Sequence, residues 1–146
     1  MKTFEELKEE LLTRAKNAGA CQSGYAMGLR SNTKADLLKA ITENWFWVLR
    51  DAKIVDAEYL EDNFTEEELS QAGIYTKNTH KVITASFACG SATVKAYDSV
   101  TVKAYGNSYV EDCTGNIRPE SDYAIVKDYY NHKIYIKKEG FEIIEV

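Results

Sequence analysis

The sequence predicts an α+β protein: a small N-terminal helical bundle, then a short β-solenoid with a strand-rich C-terminal cap. Three observations carry this reading. Apolar residues recur at helical spacing as far as Gly73. From Tyr75 onward the period changes to two. An eight-residue phrase is then spoken twice in succession, as SATVKAYD over residues 91–98 and SVTVKAYG over residues 99–106. Looser copies keep the phase at 83–90 (ITASFACG) and 107–114 (NSYVEDCT).

The helical part opens on Thr3 and Glu6, spaced as a reciprocal cap, and places Phe4, Leu7, Leu11, Leu12 and Ala15 on one face. Gly19 is a natural C-terminal stop. Residues 20–29 read as a short, glycine-weakened helix with Cys21 and Tyr25 facing inward. The strongest helix starts at Thr33 and runs through Arg50. Its stripe is Leu37, Leu38, Ile41, Trp45, Val48 and Leu49, with Phe46 and Trp47 beside it. Such an aromatic cluster is expected to be the hub of the helical core rather than an exposed docking site. Lys34, on the same helix, is expected to be an inert surface residue. Residues 51–68 are strongly acidic. Thr65 and Glu68 form another capping pair there, and acidic residues suit a helix N-terminus.

In the octads, Ala92, Val94, Ala96, Val100, Val102 and Ala104 alternate with Thr93, Lys95, Tyr97, Thr101, Lys103 and Tyr105. Each octad is therefore a half-buried strand with small residues inside. A two-residue hairpin at Asp98-Ser99 would pair Lys95 with Val102 and mix the faces, so register disfavours it. Two connections remain. A three-residue turn pairs Val94 with Val102 in an antiparallel meander. A solenoid instead sets consecutive octads on opposite walls and stacks every second octad in parallel, and exact repetition with small inner residues favours it. Its thin core has no place for an unpaired charge. Lys81 to Cys89 reads as the first strand region. Residues 115–122 (GNIRPESD) read as a loop, 123–130 as an echo of the octad, and 133–137 and 141–146 as further strands. The division expected is 1–75 helical and 76–146 β-repeat, and the lack of a Pro- or Ser-rich linker implies one packed unit.

The phrase ATVKAY(D/G)(S/N) resembles the octad repeats of small uncharacterised proteins of phages and mobile elements in gut bacteria. Residues 11–21 (LLTRAKNAGAC) resemble the helical lead that some of them carry. The resemblance implies a β-solenoid and a mobile-element origin, and it transfers no catalytic residue.

Composition narrows the function classes. The net charge is −5, with ten basic and fourteen acidic residues up to His80 and eight and nine beyond it. That balance disfavours general duplex-nucleic-acid binding and suits basic protein partners. No apolar run spans a bilayer and no signal-peptide pattern opens the chain, so a cytoplasmic protein without a membrane role is expected. Cys21, Cys89 and Cys113 are expected to be reduced, buried thiols. Cys89 with His80 or His132 could make a nucleophile and base, but nothing local supports it. Phosphate-cradling glycine motifs are missing and the Cys and His residues lack metal spacing. The expectation is thus no catalytic, cofactor or metal residue.

Two candidate binding surfaces follow. The first is the acidic one, with Asp56, Glu58, Glu61, Asp62, Glu66 and Glu67, which would grip a basic groove or imitate nucleic acid. The second is an aromatic-basic strip of Tyr97, Tyr105, Lys95 and Lys103, which would bind a protein or stack single-stranded bases. The expected role is non-enzymatic binding to another protein. With the resemblance, the narrower expectation is an inhibitor of a bacterial defence nuclease, of the anti-CRISPR kind, whose nucleic-acid channel is basic. The alternatives are an assembly component of a phage particle and a single-strand binder.

Overall fold

The structure is a computed structural model and describes residues 1–98, 100–113, 124–137 and 141–146. It is α+β and divides into two compact units, Met1–Ala72 and Gly73–Val146.

The first unit holds five α-helices: α1 (Phe4–Asn17), α2 (Gln22–Arg30), α3 (Lys34–Glu43), α4 (Ala57–Asn63) and α5 (Glu66–Gln71). Reciprocal caps start three of them. Thr3 and Glu6 cap α1, Thr33 and Asp36 cap α3, and Thr65 and Glu68 cap α5. Each pair satisfies two amide donors that the first helical turn leaves without partners. Gly19 ends α1 at φ 80°, with its own amide on the Lys16 carbonyl and that of Ala20 on the Ala15 carbonyl. The expected stripe is buried in full, from Leu37 to Leu49, and Trp45 is only 1% exposed.

The helix that carries the stripe is not continuous. At Asn44 the backbone leaves helical angles, and the side-chain Nδ2 donates to the Ala40 carbonyl at 2.8 Å. The chain resumes as a wide π turn over Trp47–Asp51, closed by the Ala52 amide on the Trp47 carbonyl. The extra residue in that turn keeps Val48 and Leu49 in the core while Phe46 and Trp47 stay half-buried. Lys34 is not inert either. Its Nζ donates to the Asn63 carbonyl at 3.1 Å and lies 5.6 Å from the centre of the Phe64 ring, tying α3 to the end of α4.

The second unit contains two sheets. Strands β1 (Ile74–Tyr75), β3 (Ser86–Ala88) and β5 (Val102–Ala104) form a parallel three-stranded sheet. Strands β2 (Thr79–Val82), β4 (Thr93–Ala96), β6 (Tyr109–Asp112) and β7 (Ile125–Asp128) run parallel in the other sheet. There β8 (Lys133–Lys137) and β9 (Phe141–Glu145) add an antiparallel edge. Successive strands from β1 to β6 therefore alternate between the sheets. The octad strands β4 and β5 do not pair with each other. Val94 pairs with His80 and Val110, not with Val102, so the hairpin register is not adopted. Strands also begin earlier than Lys81, because β1 and β2 already hold two places in the ladders. The expected loop at 115–122 lies outside the described residues.

The inner parity is the one the octad demands. Val82, Ala88, Val94, Ala96, Val102, Ala104, Val110 and Val126 form one buried cluster fed by both sheets. The last octad position explains why Asp and Gly exchange there. Gly90, Asp98 and Gly106 all take positive φ, at 61°, 60° and 74°. Glycine adopts this conformation freely, and aspartate is among the few other residues that do so. At Gly106 a side chain is also excluded by its surroundings, since an added Cβ would lie 3.2 Å from the Gly90 amide nitrogen. Gly106→Ala is expected to cost about 1–2 kcal/mol in chemical denaturation, whereas Asp98→Gly should stay within about 0.5 kcal/mol of the parent. Equal costs would show that the corner conformation does not set the residue choice.

Candidate functional site

The acidic run resolves into structural and exposed members. Asp56 caps α4, its Oδ1 accepting the Tyr59 amide at 2.7 Å. Glu68 caps α5 and lies 4.0 Å from Lys34 Nζ. Both carboxylates thus serve the fold. Glu58, Glu61 and Asp62 are exposed, and their spacing along α4 puts them on one helix face. Glu66 and Glu67 are exposed in the first turn of α5, where the helix dipole favours them. The acidic residues anticipated from the sequence are therefore exposed on α4 and in the first turn of α5.

Cations border that face. A shallow depression of about 280 Å³ is lined by Arg14, Lys53, Asp56, Glu58, Tyr59 and Asp62. The Arg14 guanidinium lies 4.7 Å from the Tyr59 ring centre and Lys2 Nζ lies 5.3 Å from it. Glu10 pairs with both Lys2 and Arg14. The hydrogen bond from Lys2, with the charge of Arg14, holds the Glu10 carboxyl below its ordinary value. Arg14 also donates to the Ile54 carbonyl at 2.9 Å. These bonds fix α1 to the segment that leads into α4, so the acidic face stands on a braced helix.

The four residues of the aromatic-basic strip are divided between two sheets. Lys95 and Tyr97 belong to β4 and its end, Lys103 and Tyr105 to β5 and its end, and the two strands lie in different sheets. The outer face of the six-stranded sheet instead aligns Lys81, Lys95, Glu111 and Lys127 across β2, β4, β6 and β7. Lys95 pairs with Glu111 at 3.4 Å. Lys127 Nζ lies 4.8 Å from the Tyr129 ring centre. Tyr109 sits in the same cluster, its hydroxyl raised above the ordinary value by burial and then by the Glu111 charge. Tyr109, Glu111, Lys127 and Tyr129 were not anticipated as surface partners of Lys95. The signal was present in NSYVEDCT and in the VKDY echo, which occupy the same phase.

A second unanticipated pair is Asp112 and Asp128. They are register partners on β6 and β7 and both are fully buried, at an inner position where the octads carry alanine. The octad core thus admits carboxylates, but the charge it admits at Asp128 is not an unpaired one. The reason is local at Asp128: Oδ1 accepts the Asn131 amide at 2.9 Å and Oδ2 accepts Asn131 Nδ2 at 2.8 Å. A carboxylate bonded this way closes the turn after its own strand, so its burial is compensated.

The cysteines are free, but only Cys89 is buried; Cys21 and Cys113 are exposed. Cys21 is exposed at the rim of the helical unit. It is the N-cap of α2, with its Sγ accepting the Gly24 amide at 3.4 Å. That bond, together with the Ser23 hydroxyl as the larger influence, lowers the thiol below its ordinary value. His80 Nε2 bonds the Lys77 carbonyl at 2.8 Å, and its ring lies 4.4 Å from that of Tyr75. Among the described residues, no group of three His, Cys, Asp or Glu is placed to hold a metal ion. Among them too, no helix is long and apolar enough to cross a membrane.

No protein-family model matches the chain, and neither a curated protein nor a solved structure matches it.

Tyr59 offers a pH readout of the border. Burial, then the Glu10 charge, pushes its hydroxyl up to about 12. Its ordinary value is about 10, so the folded state holds this proton more tightly than the unfolded state. The stability it contributes is fully present below about pH 10 and is lost as pH rises toward about 12. Tyr59→Phe should therefore flatten the alkaline loss of stability of the helical unit over that window. An unchanged alkaline limb would show that Tyr59 ionises as a solvated phenol.

Proposed function

We propose that this chain is a non-enzymatic protein-binding module whose α4–α5 acidic face engages a basic, nucleic-acid-handling surface of its partner. The single observation that carries the reading is the exposure of Glu58, Glu61 and Asp62 on one face of α4, after capping has accounted for Asp56 and Glu68. Exposed carboxylates gathered on one helix face raise the rate and selectivity of encounter with a basic groove. The octad resemblance supports a phage or mobile-element origin. On that reading the partner is a bacterial defence nuclease and the module is its inhibitor. Structural assembly within a phage particle is the runner-up, and self-association into defined multimers would favour it.

For the second unit we propose a β-solenoid. The support is the alternation of β1 to β6 between two parallel ladders, with Thr93 pairing Tyr109 and Ser86 pairing Val102, both sixteen residues apart. Two octads then make one coil. On this reading Lys95 and Lys103 stand on opposite walls, which removes the geometric basis for a single-strand-stacking strip.

The test is capture of partners from a bacterial lysate, followed by association kinetics on the captured protein. Association should slow as salt rises, because exposed charges are screened over about 10 Å at 0.1 M. Reversing Glu58, Glu61 and Asp62 to lysine should slow it further with the melting curve unchanged. Reversing Lys95 and Lys103 to glutamate should leave it unaltered. The opposite ranking, or a partner indifferent to the α4 charges, contradicts the proposal.

A further inference from the structure

Within the helical unit, α1, α2, α3 and the π turn border a half-open cavity of about 370 Å³. Leu11, Ile41 and Val48 supply its aliphatic wall, and Tyr25 and Trp47 supply aromatic surface. On the α2 side it is bordered by Gly24 and Gly28. A Cβ at Gly24 would stand 3.4 Å from both Asn44 Oδ1 and Cys21 Sγ, and one at Gly28 would stand 3.1 Å from Leu12 Cδ2. Two glycines weaken a helix of nine residues, and here they let α2 approach Leu12 and Asn44 closely at the cavity wall.

The polar content of the wall is small and specific. No Lys, Arg, His, Asp or Glu is among the described residues lining it. Asn44 reaches it, and its amide is half committed: Nδ2 donates to the Ala40 carbonyl at 2.8 Å. Oδ1, on the side facing Gly24, accepts no hydrogen bond among the described residues. The cavity is therefore an apolar site with one acceptor, and its size falls at the lower end of small-molecule sites, which run from about 300 to 1,000 Å³.

We propose that this cavity binds a small, neutral, planar aromatic molecule carrying one hydrogen-bond donor, of the indole or phenol class. An ion would enter without a counter-charge and lose its hydration, which excludes charged ligands. The aromatic walls favour a ring over an alkyl chain by offset or edge contacts. The Asn44 acceptor selects an N–H or O–H at the ring edge, and a ligand that lacks one leaves Oδ1 unsatisfied after its water is displaced. The site is separate from the acidic face and does not depend on the function proposed for it.

The probes are indole and benzofuran, which share a shape and differ in the N–H. In titration calorimetry on the full chain, indole should bind saturably at one site, and benzofuran about fivefold more weakly for want of one hydrogen bond. Gly24→Leu fills the cavity and should abolish indole binding in a chain that still melts cooperatively. A second measurement needs no variant. Cys21 lines the cavity and is exposed, while Cys113 is exposed elsewhere. At ten times its Kd, indole should slow alkylation of Cys21 by about tenfold, leaving Cys113 as an unaffected internal reference. Absence of saturable indole uptake, equal affinity for the two probes, or an unchanged Cys21 rate would each overturn the assignment.

Discussion

The parallel pairing of each octad strand with the strand two octads away constrains the rest of the β unit. It brings equivalent octad positions into register along each ladder, so inner positions lie beside inner positions. Val94, Val110 and Val126 align in one sheet while Ser86 and Val102 align in the other, and the two sets share one core. Small side chains suit a core fed by two sheets at close-packed density. The same repetition stacks the corners. Gly106 lies against Gly90 so closely that neither a β-carbon nor a shift of register is free of cost.

The outer faces follow the same rule with a different result. Like charges in register would repel along the ladder. The row beginning Lys81 and Lys95 is relieved at Glu111 before Lys127 restores the cation. Buried carboxylates appear in β6 and β7, beyond the exact octads, where Asp128 turns its oxygens to the backbone and side chain of Asn131. There the inner position contributes to closing a turn as well as to packing. A repeat can give up apolar content at such a position because the acceptor is satisfied locally.

Much of this was legible in the residues. Alternation within the octad named the inner and outer faces, the Thr-to-Glu spacings named the caps of α1 and α5, and the stripe from Leu37 to Leu49 named the helical core. Each of these signals is local and periodic. What escaped was set by tertiary context. Nothing in the order of residues says that Asn44 will interrupt its helix and that Trp47–Asp51 will widen into a π turn. Cys21 has an apolar look, yet a thiol can cap a helix, and it does so for α2. Lys34 read as surface because its partner, the Asn63 carbonyl, is distant in sequence. For the candidate site, the clustering of Glu58, Glu61 and Asp62 followed from spacing alone. The separation of Lys95 from Lys103 required knowing which strands share a sheet, and the apolar cavity required three helices and two glycines to be seen together.

The central claim is the register: residues 93–96 lie beside 109–112 and not beside residues of the adjoining octad. Nuclear magnetic resonance of the isotope-labelled chain reads this through interstrand contacts between backbone protons. The account predicts contacts that join Val94 to Val110 and Ala96 to Asp112 in a parallel pattern, together with contacts from Val94 to His80. Backbone contacts joining Val94 to Val102 in an antiparallel pattern would contradict it, and with it the alternation of strands between two sheets on which the β unit is built.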